Sequence, residues 1–341
     1  MLNIYHHVPP GFLDSDSRAM ADVLGGPTLM HLPGRRERPL FVSVLLHGNE
    51  DTGLIAVQQL LRRYADRELP RALSIFVGNV EAARYRLRRL DDQPDYNRIW
   101  PGGEFGPTPE SAMLEKVVEE MREKAVFAAV DIHNNTGTNP HYACVNRLDS
   151  RYLHLATLFS RTVVYFIRPT GVASMAMSRL CPSITVECGK AGQPHGETHA
   201  FEFLEACIHL SELPDHKVAE HDIELYHTVA QVKVPEEITF GFGSEPAELD
   251  MLFDPEIDHM NFQEVPAGTV LGWVKPGSEA RLLACSEAGV EVGDSYFEIE
   301  DGEVALRRSV MPSMLTLDAR IIRQDCLCYL MERLPPEAIP R

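Results

Sequence analysis

The chain lacks paired cysteines. Its seven cysteines are scattered, their number is odd, no two stand in a CxxC spacing, and the nearest pair, Cys326 and Cys328, is one residue apart. This excludes a cysteine-zinc knuckle, offers no disulfide framework and fits a reducing compartment. Basic charge is also scarce: 32 Lys and Arg against 50 Asp and Glu leave a formal net charge of -18. Nucleic acids and anionic membrane surfaces both require a basic face, so neither is expected as a partner. No apolar run approaches the ~20 residues of a membrane span. Met1–Pro10 has neither the basic nor the apolar region of a secretory leader, so a cytoplasmic protein is expected. Internal repeats and low-complexity tracts are missing too.

What is present is a folded chain of ordinary make-up, 44% hydrophobic and 24% charged over 341 residues, enough for one large domain or two of common size. Apolar runs predict strands at 40–46, 73–80, 126–132, 162–167 and 183–186. Amphipathic stretches predict helices at 53–64, 110–124, 152–160 and 196–211. Residues 81–109, rich in Pro and Gly, read as a long connection, which in a compact domain is usually functional or disordered. Alternation of this kind specifies an α/β sheet flanked by helices, with ligands bound beyond the carboxyl ends of its strands. Beyond Leu213 the texture changes to short candidate strands at 228–234, 238–242, 270–274, 296–299 and 315–322, separated by turn residues. The expected division is a catalytic domain over 1–213 and a β-rich domain over 214–341.

Three predicted strand ends carry reactive groups. LLHGNEDTG places His47 and Glu50 between a strand and a helix, where an imidazole and a carboxylate can converge on one cation. AVDIHNNTG supplies His133 at a second strand end. Two histidines and one carboxylate leave a fourth position for water, the ligand set of a catalytic rather than a structural zinc site. ITVECG ends a third strand with Glu187, a carboxylate able to take a proton from metal-activated water and return it to a leaving amine. Singly, each has an ordinary explanation: helices carry HxxE pairs by chance, loop histidines are usually just hydrogen-bonded, and strands often meet solvent at a glutamate. Asp131, two residues before His133 on the same strand face, is either a buried structural aspartate or an orienting partner for a ligand histidine.

RYRLRRLDDQPDYNR, residues 84–98, holds five arginines against three aspartates, a local excess of +2 in an acidic protein. It reads as a solvated charge run or as an anion-recognition patch for a carboxylated substrate, in which Arg89 and Arg98 are the favoured residues.

HGNE at 47–50, DYNR at 95–98, DIHNNTG at 131–137 and VECG at 186–189, in that order, resemble the aspartoacylase and succinylglutamate desuccinylase branch of the zinc carboxypeptidase-like superfamily. LTLDARIIR at 315–323 is similar to the closing strand of aspartoacylases, which extends the resemblance over roughly residues 40–323. The resemblance implies a zinc-carboxypeptidase-like mixed sheet flanked by helices, with the C-terminal β-rich domain capping the active site. It implies one Zn2+ per chain on His47, Glu50 and His133, with Glu187 as general base and acid. Asn97 and Arg98 would bind the substrate carboxylate, Arg89 would polarise the scissile carbonyl, and Tyr296 would reach the site from the C-terminal domain. Arg179 stands for a family arginine ahead of the glutamate. Met175, four residues earlier, replaces the tyrosine that aspartoacylases carry, so the pocket for the substrate side chain is expected to differ.

The function so implied is a zinc-dependent deacylase of a small, anionic, carboxylated N-acyl amino acid. Its rivals are a metallocarboxypeptidase acting on peptide C-termini, a metal-dependent esterase and a non-enzymatic metal-binding protein. A homo-oligomer stays open, since the sequence carries no interface signature.

Overall fold

The computed structural model describes residues 1–243, 248–335 and 337. The chain forms two compact units, the first chiefly Met1–Asn134 and His141–Leu225, the second Asn135–Pro140 and Tyr226–Leu334.

In the first unit lie β1 (Asn3–Tyr5), β2 (Thr28–Leu32), β3 (Gly34–Val44), β4 (Leu69–Val77), β5 (Ala128–His133), β6 (Tyr142–Val145), β7 (Thr162–Tyr165) and β8 (Ser183–Glu187). Its helices are α1 (Met20–Leu24), α2 (Thr52–Arg63), α3 (Val80–Arg84), α4 (Pro109–Glu123), α5 (Ser150–Thr157), α6 (Ala173–Met177) and α7 (Pro194–His209). The strands pair in the order β1-β2-β4-β3-β5-β8-β6-β7. β4, β3, β5 and β8 run parallel to one another, whereas β2 and β6 join antiparallel. The sheet is thus mixed α/β, as the sequence pattern requires. The central strands are buried along their apolar runs: every residue of β5 and β8 is buried, as are the last six of β3. Strands covered on both faces read as continuous apolar segments, which is why these were visible in the sequence.

Trp100 anchors one core. Its ring meets Phe41 and Phe76 edge-on at 6.4 and 5.9 Å, and α4 adds Leu114, Val117 and Met121 to the same cluster. α4 starts where Pro109 supplies a preset φ and the Thr108 side chain accepts from the Ser111 N–H, a reciprocal cap. The predicted connection 81–109 is not wholly irregular. α3 opens it, capped by Asn79, whose Oδ1 accepts from the Ala82 N–H at 3.1 Å. The N-terminal β1, α1 and β2, and the four-residue β6, are too short or too weakly patterned for periodicity to reveal.

The second unit holds β9 (Glu224–Lys233), β10 (Phe240–Phe242), β11 (Met251–Phe253), β12 (Val270–Val274), β13 (Leu283–Ser286), β14 (Phe297–Glu300), β15 (Glu303–Leu306), β16 (Met311–Ser313), α8 (Ala319–Gln324) and β17 (Cys328–Arg333). β9 pairs with β13 and β17, and β17 with β16, all antiparallel. A second sheet runs β10-β11-β12-β15-β14. Their shared core includes Val232, Phe253, Val304 and Leu330. The expected strand at 315–322 is corrected here. Asp318 accepts from the Arg320 and Ile321 N–H groups and starts α8, so the helix cap overrides the apolar run, and the closing strand is β17.

Among the described residues no helix is long and apolar enough to cross a membrane.

Candidate active site

Because β3, β5 and β8 are adjacent and parallel, their carboxyl ends meet. β3 stops at Val44. Leu45, fully buried, takes a left-handed conformation (φ 53) and its carbonyl accepts from the Asn79 N–H. For a non-glycine residue that conformation costs roughly 1–2 kcal/mol, and it turns the chain sharply out of the sheet two residues before His47. Gly48 then passes against α3, where a Cβ would come within 2.2 Å of the Ala83 nitrogen and 2.3 Å of the Ala82 carbonyl carbon. Both neighbours are backbone. Gly48→Ala is therefore expected to destabilise the protein by about 2–3 kcal/mol in chemical denaturation and to displace His47; an unchanged midpoint would show that α3 yields freely.

His47, Glu50 and His133 come together with ligand atoms all within 4.8 Å of one another, and all three are buried. The Glu50 carboxylate lies between the rings: Oε1 is 2.8 Å from Nδ1 of His47 and Oε2 is 2.7 Å from Nδ1 of His133. Each ring turns its other nitrogen to a second carboxylate. His47 Nε2 is 3.2 Å from Oδ1 of Asp95, and His133 Nε2 is 2.8 Å from Oδ2 of Asp131. Asp131 is itself held by the Ser43 hydroxyl, which donates to Oδ1 at 2.6 Å. A histidine that donates Nε2–H to a carboxylate presents a bare lone pair at Nδ1. With the Nδ1 protons removed, these lone pairs and the Glu50 carboxylate converge as a set of acceptors that a metal ion can satisfy in place of those protons. The donor set therefore fits a divalent metal with open positions.

The charges of this site are strongly coupled. Burial works against ionised Glu50, but His47 and His133 outweigh it and hold the carboxyl well below its usual range. Burial likewise opposes a charged His133, yet Asp131 and Glu50 hold its proton affinity well above normal. Glu187 is different. It sits directly opposite His133 in the β5–β8 register, and burial pushes its carboxyl up to about 7. A carboxyl near neutrality can both accept and donate a proton.

Asn134 ties the strand ends together. Its N–H donates to Oε2 of Glu50 at 3.2 Å, its Oδ1 accepts from the Thr52 N–H that opens α2, and its Nδ2 donates to the Gly189 carbonyl.

The 84–98 run divides by burial. Arg88, not Arg89, is the buried arginine: its Nε and Nη2 both donate to Oδ2 of Asp95, at 3.1 and 2.9 Å, while Oδ1 of that aspartate faces His47. Arg89 donates to the carbonyls of Leu90 and Gln93 in its own loop. Burial opposes the Asp95 charge, but Arg88 and His47 hold the carboxyl well below its usual range. Arg88→Ala is expected to cost about 3–5 kcal/mol by leaving Asp95 buried and unpaired, against under about 1 kcal/mol for Arg89→Ala. Equal losses in urea titrations would remove this distinction.

Asn97 is buried, with Nδ2 3.2 Å from His133 Nε2 and Oδ1 accepting from the Ala173 N–H at the start of α6. Arg98, half-buried, has Nη1 donating to the Asn97 carbonyl at 2.8 Å. Arg179 is exposed, and its guanidinium lies over Gly102, where a Cβ would meet Nη2 at 2.2 Å. Tyr296 belongs to the second unit, buried in that unit's core with the Arg308 guanidinium 5.4 Å from its ring centre. Arg88, Asp95 and Asn134 were not singled out by sequence reasoning. The DYNR aspartate and the Asn after DIH were in plain view, but nothing local says which neighbour each will face.

The family model of the succinylglutamate desuccinylase/aspartoacylase catalytic domain matches residues 38–211. Among solved structures, the chain is similar to the succinylglutamate desuccinylase of Chromobacterium violaceum, with TM-score 0.56, 15% identity, and 88% of this chain and 86% of that one covered. A succinylglutamate desuccinylase/aspartoacylase from Rhodobacter sphaeroides gives TM-score 0.56 and 15% identity over 90% and 89% of the two chains. Murine aminoacylase 3 gives 0.53 and 15% over 88% and 96%. At such identities the likeness is one of fold. None of the curated proteins matches the sequence.

Proposed function

We propose, from the premise that this chain belongs to the succinylglutamate desuccinylase/aspartoacylase family, that it is a zinc-dependent amidohydrolase releasing the acyl group from a small, anionic N-acyl amino acid. The observation that carries the reading is the accepting set of His47, Glu50 and His133 beside a buried Glu187 on the neighbouring strand end.

His47, Glu50 and His133 would hold the zinc, which when bound would supply Lewis acidity toward the amide carbonyl and bring the pKa of water toward ~7. Glu187 takes the proton of the attacking water and hands it to the departing nitrogen, a double role suited to a carboxyl near neutrality. Asp95 and Asp131 hold the histidine rings in place at their Nε2 atoms. Arg88 keeps Asp95 charged and in place. Arg98 anchors the substrate carboxylate, and Asn97, wedged between His133 and α6, sets the position of that arginine. Met175, half-buried on α6, stands where aspartoacylases carry a tyrosine, so the side-chain preference is left to the assay.

The test is amine release from N-acetyl, N-succinyl and N-formyl amino acids with acidic, neutral and aromatic side chains, with and without chelator. Chelator-sensitive release from one subset is expected. If every member is inert with zinc present while peptides lose C-terminal residues, the deacylase reading gives way to a carboxypeptidase. Arg98→Ala is expected to raise KM about tenfold or more for carboxylated substrates and to leave neutral analogues nearly unaffected; equal losses would reassign Arg98 to structure.

A further inference from the structure

At the opposite pole of the same sheet, where β3 and β4 begin and β5 and β8 are about to begin, lies a cavity of about 500 Å3. It is roughly 20 Å from the metal-ligand cluster, the span of the six-residue β5 that connects the two ends. Four of its lining residues are Arg36, Arg38, Arg71 and Arg151, with Phe127 as an apolar wall. Such a concentration of guanidinium groups is unexpected in a chain of net charge -18.

Arg71 is the centre of the argument. It is only 2% exposed, and its guanidinium stacks 3.6 Å from the centre of the Phe127 ring. Its terminal nitrogens donate to the carbonyls of Arg38 and Leu210, which gives them a structural task. Its Nε, sealed from solvent, has no hydrogen-bond partner among the described residues. Among the described residues, no carboxylate forms an ion pair with Arg71, Arg36 or Arg38; Arg38 donates only to the carbonyls of Ala125 and Val126. Arg151 is engaged by Asp149. Glu37 and Glu212 also line the cavity, which leaves the three arginines without an ion pair, Arg36, Arg38 and Arg71, against two negative groups. Burial and the nearby charges of Arg36 and Arg38 push Arg71 down to about 10, a sign that its charge lacks compensation. A buried cation without a counter-ion is costly, and an anion seated in the cavity supplies the missing charge.

We propose that this cavity is a second anion-binding site, separate from the proposed active site, which takes a small oxyanion of two or more negative charges. Arg36 and Arg38 supply the entering contacts, and Arg71 the buried positive charge behind them. Phosphate-bearing and polycarboxylate molecules share this chemistry.

The test is calorimetric titration of the full-length protein with pyrophosphate and, separately, with citrate, against sodium chloride at matched ionic strength. Binding of at least one probe is expected. The double variant Arg36→Gln/Arg38→Gln alters the rim and spares buried Arg71, so it should stay folded, with only the small drop in melting temperature that losing the exposed Arg38 contacts to Ala125 and Val126 brings. It should weaken binding at least about tenfold, because two charge-assisted contacts are lost. Arg98→Ala should leave the same binding unchanged, which separates this cavity from the proposed substrate site. Citrate alone would identify a carboxylate ligand, and pyrophosphate alone a phosphate ligand. Binding of neither probe, binding undiminished in the double variant, or binding lost in Arg98→Ala would overturn the proposal. Because the readout is heat of binding, it is independent of whether the protein hydrolyses any amide.

Discussion

Glu187→Gln is expected to lose turnover by roughly 10³-fold or more while the protein stays folded and keeps its metal. Glutamine matches glutamate in shape and replaces a carboxyl that burial has already brought to about 7, so the strand pairing of β8 with β5 has no reason to change. On the proposed mechanism the lost capacity is chemical: an amide cannot accept the proton of the attacking water, and it has no carboxylic proton to return to the leaving nitrogen. Glu187 does not belong to the cluster of His47, Glu50 and His133, so metal content should stay near one ion per chain. The decisive measurement pairs kcat with metal analysis on the same preparation. A variant with normal metal content and near-normal kcat would take Glu187 out of the mechanism.

Glu50→Gln should fail in the opposite way, losing the metal first and activity as a consequence. Both Glu50 oxygens are engaged, one toward each Nδ1, and its carboxylate bridges the two rings. Glutamine keeps one acceptor oxygen but substitutes an N–H donor for the other and removes the charge, so one imidazole faces a group that competes for its lone pair. Asp95 and Asp131 would still hold the outer nitrogens, which keeps the rings ordered and the fold intact. Metal content after dialysis is therefore expected to drop to a small fraction of wild type, with turnover falling in proportion. Excess zinc should restore activity only partly, since site charge and geometry both count toward affinity. Retention of full metal content would show that the two histidines suffice and would revise the proposed ligand set. The two variants thus separate proton transfer from metal binding.

The parts of the fold and site that were legible in the sequence share one physical property: their signal is local. β3, β5 and β8 are buried on both faces, so their apolar runs stand out, and each ends where a polar functional residue follows. A reader of the sequence could therefore place His47, Glu50, His133 and Glu187 at strand ends without coordinates. The Asp131–His133 pairing was open to the same reading, because alternate residues of a strand share a face.

Other features depend on what a residue meets rather than on its neighbours in the chain. Arg88 and Arg89 are adjacent in a charged run, and only the path of the loop decides that Arg88 is buried against Asp95 while Arg89 serves local carbonyls. Asp95 faces His47 across 48 residues of sequence, a distance no window of periodicity covers. The stretch at 315–322 misled for the complementary reason: its apolar alternation suggested a strand, but the Asp318 cap favours a helix, and β17 lay free to pair with β9. The arginine cavity is the extreme case, its lining drawn from six separate segments of sequence, none of which is unusual alone. The sequence by itself thus determined the layered α/β scheme and the chemistry offered at its strand ends, because burial and strand alternation act residue by residue. Only the tertiary structure decided which arginine is buried, which carboxylate orients which histidine and where unpaired positive charge collects, because each of those is a contact between segments that meet only when the sheet is assembled.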